Sequence, residues 1–392
     1  MSRRDRISNA AGRYVESNKF SGIEWYVEHL GEVLAEGSTG YAHAATRTPI
    51  PQAAIYRLYS MTKPVVAVMA MILMEQGKLR LYDVLPGFNT AFANMRVLLP
   101  NGSIVAAERA ITVDDLFTHR AGFTYEFIAG CHVAPYYRDN AIISDGTCTL
   151  DDMMDRLAEL PLAFQPGSQF RYSVSTDVLA HVIERAAERP IDELLAEHIF
   201  APLGMTDTAY HVPAAKADRL MSMYGSGDIV QTPPLRLLPH ELTEMDVEEM
   251  YPTDRPQTFR RGGHGLFSTL SDYTKFARFL LDGRGADGKP IISRKMVDLM
   301  RVNRIPPEQL PIRIGMNEMS GYGWGLGVRV MMDLGRAKAL TGIGELGWAG
   351  AASTYFWVDP AERMFGVIMT QYLGSMLPLS DDLRVAAYQM LD

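Results

Sequence analysis

The chain has few of the features that mark secreted disulfide proteins, zinc proteins and nucleic-acid-binding proteins. It has two cysteines among 392 residues, Cys131 and Cys148, and neither stands beside a cluster of histidines. Two such thiols do not make a zinc site, so we interpret both as free, with a disulfide between them as the alternative. The net charge is -8 and the basic residues are scattered, so no positive face for nucleic acid is predicted.

Long apolar segments are also missing. The longest apolar run, Val65 to Met74, is well short of the roughly 20 residues that span a bilayer. The N-terminus, Met-Ser-Arg-Arg-Asp-Arg, is charged and lacks the apolar core of a secretory signal. We therefore expect a cytoplasmic protein with no membrane partner, of an oligomeric state that the sequence does not indicate.

Common catalytic and cofactor motifs are absent or misplaced. No Gly-x-Ser-x-Gly sequence occurs, which disfavours the α/β-hydrolase arrangement. Gly283 to Gly288 matches the Gly-x-Gly-x-x-Gly pattern of dinucleotide-binding proteins, but it follows a predicted helix where that motif requires a strand. We interpret it as a surface turn and expect no cofactor.

Apolar patterning predicts a mixture of helices and strands. Ile23 to His29 and Val33 to Gly37 form a predicted hairpin, and an apolar helix from Ser60 to Gln76 ends at Gly77. Helices and long loops without a strand meander follow, and strands return near the C-terminus. The further predicted helices are Val113 to Phe117, Leu150 to Leu160, Asp177 to Glu188, Ile191 to Phe200, Ser271 to Leu281 and Asp381 to Leu391, and the further strands are Trp324 to Met331, Ser353 to Val358 and Met364 to Gln371.

These elements predict an α+β fold. Residues 1–84 and 255–392 would form a discontinuous domain with one antiparallel sheet, covered by the Ser60 helix and the final helix. Residues 85–254 would form a mainly helical insertion. Because ligand clefts favour domain interfaces, we expect the functional site between the two parts.

Ser60-Met-Thr-Lys63 is the first candidate for chemistry. If Ser60 opens the helix, positions i and i+3 share a face, so Lys63 can reach the Ser60 hydroxyl and take its proton. Chance alone can supply such a match, and an N-cap serine followed by a solvated lysine is the competing interpretation.

Two later stretches contain further candidates. Tyr172 follows a turn-rich loop and precedes a predicted helix, a place from which a tyrosine can point into a cleft, although such a residue more often caps a core. Trp348-Ala-Gly350 precedes the strand Ser353 to Val358, and small residues there permit close approach of a substrate backbone or only a tight bend.

Taken together, these stretches resemble the serine β-lactamase-like hydrolases, which include class C β-lactamases, D,D-peptidases and family VIII carboxylesterases. The resemblance spans most of the chain and rests on motifs in a fixed order. These are Ser60-Met-Thr-Lys63, Leu116-Phe-Thr-His-Arg-Ala-Gly122, Phe164-Gln-Pro-Gly-Ser168 with Tyr172-Ser-Val, Gly262-Gly-His-Gly-Leu-Phe-Ser-Thr269 and Trp348-Ala-Gly350.

The resemblance implies a role for each matching residue. Ser60 would be the nucleophile, Lys63 its activating partner, and Tyr172 the group that exchanges protons with Ser60 and the leaving group. Contact between Lys63 and Tyr172 would keep the lysine neutral or hold the tyrosine as phenolate. The backbone N–H groups of Ser60 and Ala351 would form the oxyanion hole.

The histidines of two matching motifs receive no catalytic role. His119 matches a family histidine that looks structural, and for both His119 and His264 a buried histidine with its hydrogen bonds satisfied is the better expectation.

Two departures from the lactamase pattern bear on the substrate. Val174 replaces the usual asparagine of Tyr-x-Asn, and Trp348 replaces the lysine of Lys-Thr-Gly, so polar contacts to a lactam are lost. Trp348, Gly350 and Val174 are the predicted substrate-binding residues, with the indole as an apolar wall. Similarity to family VIII carboxylesterases and related acyltransferases then implies a small-molecule ester as substrate.

Two alternatives stay open. The chain could be a β-lactamase or D,D-peptidase, or a catalytically silent binding protein of the same fold. Pocket shape would decide the acyl length and the alcohol, and the stretches Tyr125 to Cys148 and Tyr224 to Phe259 are where we expect that shape to be set.

Overall fold

An eight-stranded antiparallel sheet joins the two ends of the chain. The structure is a computed structural model, and it describes residues 5–225, 241–255, 258–315 and 317–391. The strands are β1 (Gly22–His29), β2 (Glu32–His43), β3 (Thr48–Pro49), β4 (Tyr56–Arg57), β5 (Arg96–Leu98), β6 (Ile104–Ala106), β7 (Tyr224–Gly225), β8 (Thr243–Glu244), β9 (Phe267–Ser268), β10 (Arg313–Ile314), β11 (Asn317–Glu318), β12 (Tyr322–Trp324), β13 (Arg329–Met331), β14 (Leu346–Ala349), β15 (Tyr355–Asp359), β16 (Met364–Met369) and β17 (Tyr372–Leu373).

The helices occupy both ends and most of the middle of the chain. They are α1 (Asp5–Glu16), α2 (Thr62–Glu75), α3 (Val113–Phe117), α4 (Ala134–Asp139), α5 (Leu150–Glu159), α6 (Ser175–Ala187), α7 (Ile191–Leu195), α8 (Ala201–Leu203), α9 (Leu270–Asp282), α10 (Arg294–Met300) and α11 (Leu379–Tyr388). A π-helical turn, Ala196–Phe200, links α7 to α8.

The large sheet has the strand order β12-β13-β14-β15-β16-β1-β2-β3. The predicted N-terminal hairpin is present as β1 and β2, and β1 pairs with β16 in a register that sets Trp25 opposite Ile368. The turn after Asp359 connects β15 and β16 as an antiparallel hairpin, as predicted. Distant parts of the sequence therefore form one sheet, because each strand has an apolar face to bury.

Helices cover the two faces of this sheet. On one face α1 and α11 pack together, and their Ile7 and Leu383 share a core with Trp25 and Trp357. On the other face α9 packs against β1, β15 and β16. The expectation that the Ser60 helix covers the sheet is wrong, since α2 packs mainly against α6 in the helical region.

The position of α2 explains its composition. The helix is buried along its length from Thr62 to Leu73, because α6 and α7 pack against it and its side chains belong to the main hydrophobic core. The Tyr273 hydroxyl of α9 donates to the Met61 carbonyl at 2.9 Å, which anchors the start of α2 to α9. Burial on all sides explains why α2 is apolar throughout instead of amphipathic.

One strand prediction is wrong. The stretch Trp324 to Met331 is not one strand but the hairpin of β12 and β13, because Gly325 turns the chain there, donating to the Val328 carbonyl at 2.9 Å, and Gly327 adopts φ +78°. The middle of the chain also contains short strands that were not predicted, among them the hairpin of β5 and β6. The predicted domain boundaries stay a prediction.

A buried ion network ties the last helix to the sheet. The Glu345 carboxylate, fully buried, accepts hydrogen bonds from Arg329 at 3.0 Å and from Arg384 of α11 at 3.2 Å. Both guanidiniums also donate to the Tyr355 hydroxyl. The network fixes β13, β14 and β15, the strands beside the candidate site described next.

Candidate active site

Ser60 lies at the start of α2, as predicted, but in a tight turn instead of in the helix itself. The short strand β4 pairs with β9, and the 3-10 turn Tyr59–Met61 then carries the serine into α2. Tyr59 has φ +47°, a left-handed conformation that costs a non-glycine residue energy. Such strain directly before a serine is typical of a side chain held in one orientation for function.

Lys63 is buried beside Ser60. Its Nζ is 3.1 Å from the Ser60 Oγ and donates to the Gly263 carbonyl at 2.7 Å. The Nζ atom is also 4.7 Å from the centre of the Tyr172 ring and 5.2 Å from the centre of the Tyr125 ring. The i, i+3 spacing therefore brings amine and hydroxyl together as predicted.

Burial lowers the pKa of Lys63 to about 7, although the nearby Asp177 carboxylate opposes the shift. Near neutral pH a large fraction of the side chain is therefore an uncharged amine, which can accept a proton. The sequence argument expected contact with Tyr172 to shift this pKa, and the structure shows desolvation as the main cause.

Tyr172 lies on the other side of Ser60. Its hydroxyl is within hydrogen-bonding reach of the Ser60 side chain and accepts from the indole N–H of Trp348 at 3.0 Å. Burial raises the pKa of Tyr172 above its ordinary value. The tyrosine is therefore a phenol that can donate a proton, and of the two expected states, neutral lysine or phenolate, the structure favours neutral lysine.

Asp177 is a site residue that sequence reasoning missed. It is fully buried in the first turn of α6, and its Oδ1 accepts from the Gly263 N–H at 2.8 Å. Burial raises its pKa, while Lys63 acts in the opposite direction. The sequence signal that could have identified Asp177 is its position on the helix that follows Tyr172. An acidic residue in a first helical turn usually only stabilises the helix through its dipole, so this signal is not specific for a functional site.

Gly350 and Ala351 approach Ser60 from the end of β14. A Cβ added to Gly350 would overlap the Leu58 carbonyl and the Thr354 hydroxyl, so only glycine permits this close approach. Within the described residues, the backbone N–H groups of Ser60 and Ala351 have no hydrogen-bond acceptor. Both residues line one cavity, so both donors are available to a ligand.

This cavity has a volume of about 750 Å³ and opens beside Ser60. Besides Tyr59, its apolar wall comes from four parts of the chain, of which the stretch from Tyr125 to Cys148 and the stretch from Tyr224 to Phe259 were predicted, although residues 226–240 and 256–257 lie outside the described residues. The other two parts, Ile314 and residues 374–380, were missed. The main apolar lining residues are Tyr59, Tyr125, Phe127, Ile128, Ile143, Met250, Ile314, Met376, Leu377 and Leu379.

Only one of the three predicted substrate-binding residues lines the cavity, and that is Gly350. Val174 is fully buried at the start of α6 and does not line the cavity. Trp348 is buried against Trp324, with ring centres 4.5 Å apart, and its N–H is directed at Tyr172. The interpretation of Trp348 as an apolar wall is therefore wrong, and it contacts a candidate catalytic group instead.

The two motif histidines differ in their surroundings. His119 is buried, its Nδ1 is 3.2 Å from the Ser173 hydroxyl, and its ring packs on Tyr172 with centres 4.8 Å apart. Its burial agrees with the structural role expected of it, but its Nε2 has no hydrogen-bond partner among the described residues, so the expectation that its hydrogen bonds are satisfied is wrong. His264 lines the cavity, and no described residue hydrogen-bonds its ring, so the same expectation is wrong for His264.

Neither cysteine takes part in the site. Both thiols are buried and free, as interpreted from the sequence. Among the residues that the structure describes, no group of three or more His, Cys, Asp or Glu side chains could hold a metal ion. Of the helices that the structure describes, none has the length and apolar character needed to cross a membrane.

The antiparallel sheet, the helical region and the Ser-Lys-Tyr cluster define a protein of the serine β-lactamase-like class. A sequence model of the family described as Beta-lactamase matches residues 7–390. The chain therefore belongs to the beta-lactamase family, and both the resemblance and the predicted fold class are confirmed.

Similar proteins include esterases. The chain is 31% identical over 365 residues to protein Rv1367c of Mycobacterium tuberculosis, covering 91% of this chain and 87% of that one. It is 27% identical to esterase EstB of Burkholderia gladioli, covering 98% and 94%. Its fold matches that of EstCE1, a hydrolase with promiscuous acyltransferase activity, with a TM-score of 0.81, 23% identity and 98% coverage of each chain. EstB and the family match support a hydrolase, and the likeness to EstCE1 shows the same fold.

Proposed function

We propose that this protein is a serine carboxylesterase that hydrolyses short-chain acyl esters through an acyl-enzyme on Ser60. The observation that carries the proposal is the amine of Lys63, neutral in large part at pH 7 and 3.1 Å from the Ser60 Oγ, with the Tyr172 phenol on the other side. A serine hydroxyl is a weak nucleophile until an adjacent base accepts its proton.

In the first step the Ser60 Oγ–H proton passes to the Lys63 amine as Oγ bonds to the ester carbonyl carbon. The N–H groups of Ser60 and Ala351 stabilise the negative oxygen that forms. When the C–O bond to the alcohol breaks, Tyr172 donates its proton to the departing oxygen. The Lys63 ammonium returns a proton to Tyr172, so both groups regain their starting state.

In the second step a water molecule attacks the acyl-enzyme in the way that Ser60 attacked the ester. Its proton passes to the Lys63 amine as its oxygen attacks the acyl carbon, and Tyr172 donates its proton to the Ser60 Oγ as that oxygen leaves. The Lys63 ammonium then returns a proton to Tyr172. An alcohol in place of water would give acyl transfer, and the acyltransferase activity named for EstCE1 is in keeping with this outcome.

Charge and size of the cavity favour an uncharged ester over a β-lactam carboxylate. Its described lining contains no lysine or arginine, and Trp348 stands where the lactamase pattern has a lysine. A volume of about 750 Å³ is far larger than a short acyl group needs, and cavities of this size bind ligands as large as drug molecules. The ester would therefore combine a short acyl group with a bulky partner, or carry a bulky acyl group.

Hydrolysis of p-nitrophenyl butyrate by wild type and Ser60→Ala tests the proposal. Loss of the nucleophile should lower kcat/KM by at least about a thousandfold. Ser103→Ala, which changes an exposed serine in the turn between β5 and β6, is the matched control and should keep the wild-type rate. Equal rates of ester hydrolysis by wild type and Ser60→Ala would refute the proposal.

The same proteins separate the alternatives. A kcat/KM higher for a chromogenic cephalosporin than for the ester would identify a β-lactamase instead. Failure of a phosphonate to label Ser60 in a folded sample, read by mass spectrometry, would favour a catalytically silent binding protein.

A further inference from the structure

Three polar side chains of buried residues on the cavity wall have no hydrogen-bond partner among the described residues. The buried hydroxyls of Thr354 and Tyr355 also line the cavity, but each bonds another group of the protein. By contrast, the Tyr59 hydroxyl, the Tyr125 hydroxyl and the His264 ring bond no residue that the structure describes, although their residues are only 5%, 3% and 8% exposed. Polar groups in such positions are nearly always hydrogen-bonded, so a ligand or solvent in the cavity is the partner that remains for Tyr125 and His264.

Tyr125 and His264 both adjoin Gly263. His264 follows Gly263 directly in the chain, and the Tyr125 hydroxyl is so close that a Cβ added to Gly263 would meet it at 2.7 Å. The Gly263 carbonyl in turn accepts from Lys63, whose amine is 3.1 Å from the Ser60 Oγ. The pair is therefore two hydrogen bonds away from the candidate nucleophile.

Both rings are held in place by packing. The His264 ring lies against Phe259 and Tyr251, with centres 5.5 Å and 5.9 Å away. Tyr125 is stacked on Phe127 at 4.8 Å. A hydrogen-bonding group fixed in this way loses little entropy when a ligand binds, which is how sites discriminate between similar ligands.

Both groups are also uncharged at neutral pH. Burial, with help from Arg261 and Lys63, holds the pKa of His264 well below its usual value, and burial raises that of Tyr125 well above it. A neutral imidazole and a phenol can each donate and accept one hydrogen bond. They suit a hydroxyl or carbonyl group. They carry no charge that would stabilise a buried carboxylate or ammonium.

We propose that His264 and Tyr125 form a polar subsite that binds a hydroxyl group on the acyl half of the substrate. The proposal rests on the proposed esterase function. The acyl half is the part that stays attached to Ser60 through both steps, so it is the half that a group beside Ser60 contacts throughout. The apolar remainder of the cavity would hold the hydrocarbon skeleton that carries this hydroxyl.

A matched set of esters tests the subsite. The reference is p-nitrophenyl phenylacetate, whose ring suits the apolar wall, and the test compounds carry one added hydroxyl at the α-carbon, the meta or the para position. Wild type should hydrolyse at least one hydroxylated ester with a kcat/KM about tenfold above the reference, since one hydrogen bond typically contributes about that factor.

Two variants locate the effect. Tyr125→Phe removes only the hydroxyl, and His264→Phe removes both ring nitrogens while keeping an aromatic ring. Each should reduce the preference for the hydroxylated ester severalfold, while kcat/KM for the reference changes much less. His264→Gln, which restores a donor and an acceptor, should recover part of the preference. His211→Phe, at a half-buried histidine that does not line the cavity, is the matched control and should retain it in full.

Equal wild-type rates on all four esters would overturn the subsite, as would an undiminished preference in both Tyr125→Phe and His264→Phe. If Ser60→Ala left hydrolysis of the reference ester unchanged, the esterase proposal itself would fail. The two failures are therefore distinguishable.

Discussion

The pKa of Lys63 makes the most direct prediction about this site. The amine acts as a base only when it is neutral, so the activity should follow the neutral fraction of Lys63. Because its pKa is about 7, about half of the side chains are neutral at pH 7, against fewer than about one in a thousand for an unshifted lysine. We therefore expect kcat/KM to fall about tenfold per pH unit below pH 7 and to level off above it.

Asp177 provides a perturbation of known sign. Its carboxylate raises the pKa of Lys63, opposing the larger effect of burial. Asp177→Asn removes the charge and keeps an oxygen to accept from the Gly263 N–H. The midpoint of the pH profile should therefore move below pH 7, by up to about one unit.

The assay is hydrolysis of p-nitrophenyl butyrate from pH 5 to 9, followed at the isosbestic wavelength of nitrophenol and nitrophenolate, where ionisation of the product does not change the signal. Asp151→Asn, which changes an exposed carboxylate paired with Arg185, is the matched control and should keep the wild-type midpoint. Circular dichroism at each pH shows that the protein stays folded. A flat profile, or a midpoint that rises in Asp177→Asn, would refute the assignment of Lys63 as the base.

Two further predictions concern the end of β14. Trp348→Phe removes the N–H that donates to the hydroxyl of Tyr172. Because this hydrogen bond orients the hydroxyl, kcat/KM for the butyrate ester should fall about tenfold in steady-state assays. An unchanged kcat/KM would mean that the contact has no catalytic consequence. Gly350→Ala places a methyl group against a backbone carbonyl and should destabilise the protein by about 1–3 kcal/mol in urea unfolding. Gly87→Ala, where an added Cβ meets nothing within 4 Å, is its control, and equal losses in the two variants would contradict the steric argument.

Local patterns predicted the elements better than their arrangement. The hairpin of β1 and β2 and helices α5, α6 and α9 follow from apolar periodicity and turn residues that lie within each segment. Of the two helices predicted to cover the sheet, the final helix α11 does so and α2 does not. The prediction failed for α2 because that helix is apolar on every side and its sequence does not indicate which neighbour it meets. The hairpin of β12 and β13 was missed because the two glycines of its turn, Gly325 and Gly327, alternate with apolar residues in a pattern that resembles one strand.

The candidate site shows the same division. Motif order placed Ser60, Lys63, Tyr172 and Ala351 correctly beside one another, and the structure brings them together. The role expected of Trp348 was wrong, since sequence identifies an indole but does not tell whether its face lines a cavity or its N–H contacts a neighbour.

What the sequence by itself determined is the pairing of amine and hydroxyl, because Ser60 and Lys63 are three residues apart and local helical geometry suffices to join them. Only the tertiary structure decided that the amine is a base near neutral pH, since the desolvation that lowers its pKa comes from segments far away in the chain. The same long-range packing brought Asp177, Tyr125 and His264 around Gly263 and left a large cavity beside them. No local pattern reports these contacts, because each depends on surfaces that meet only when the chain is folded.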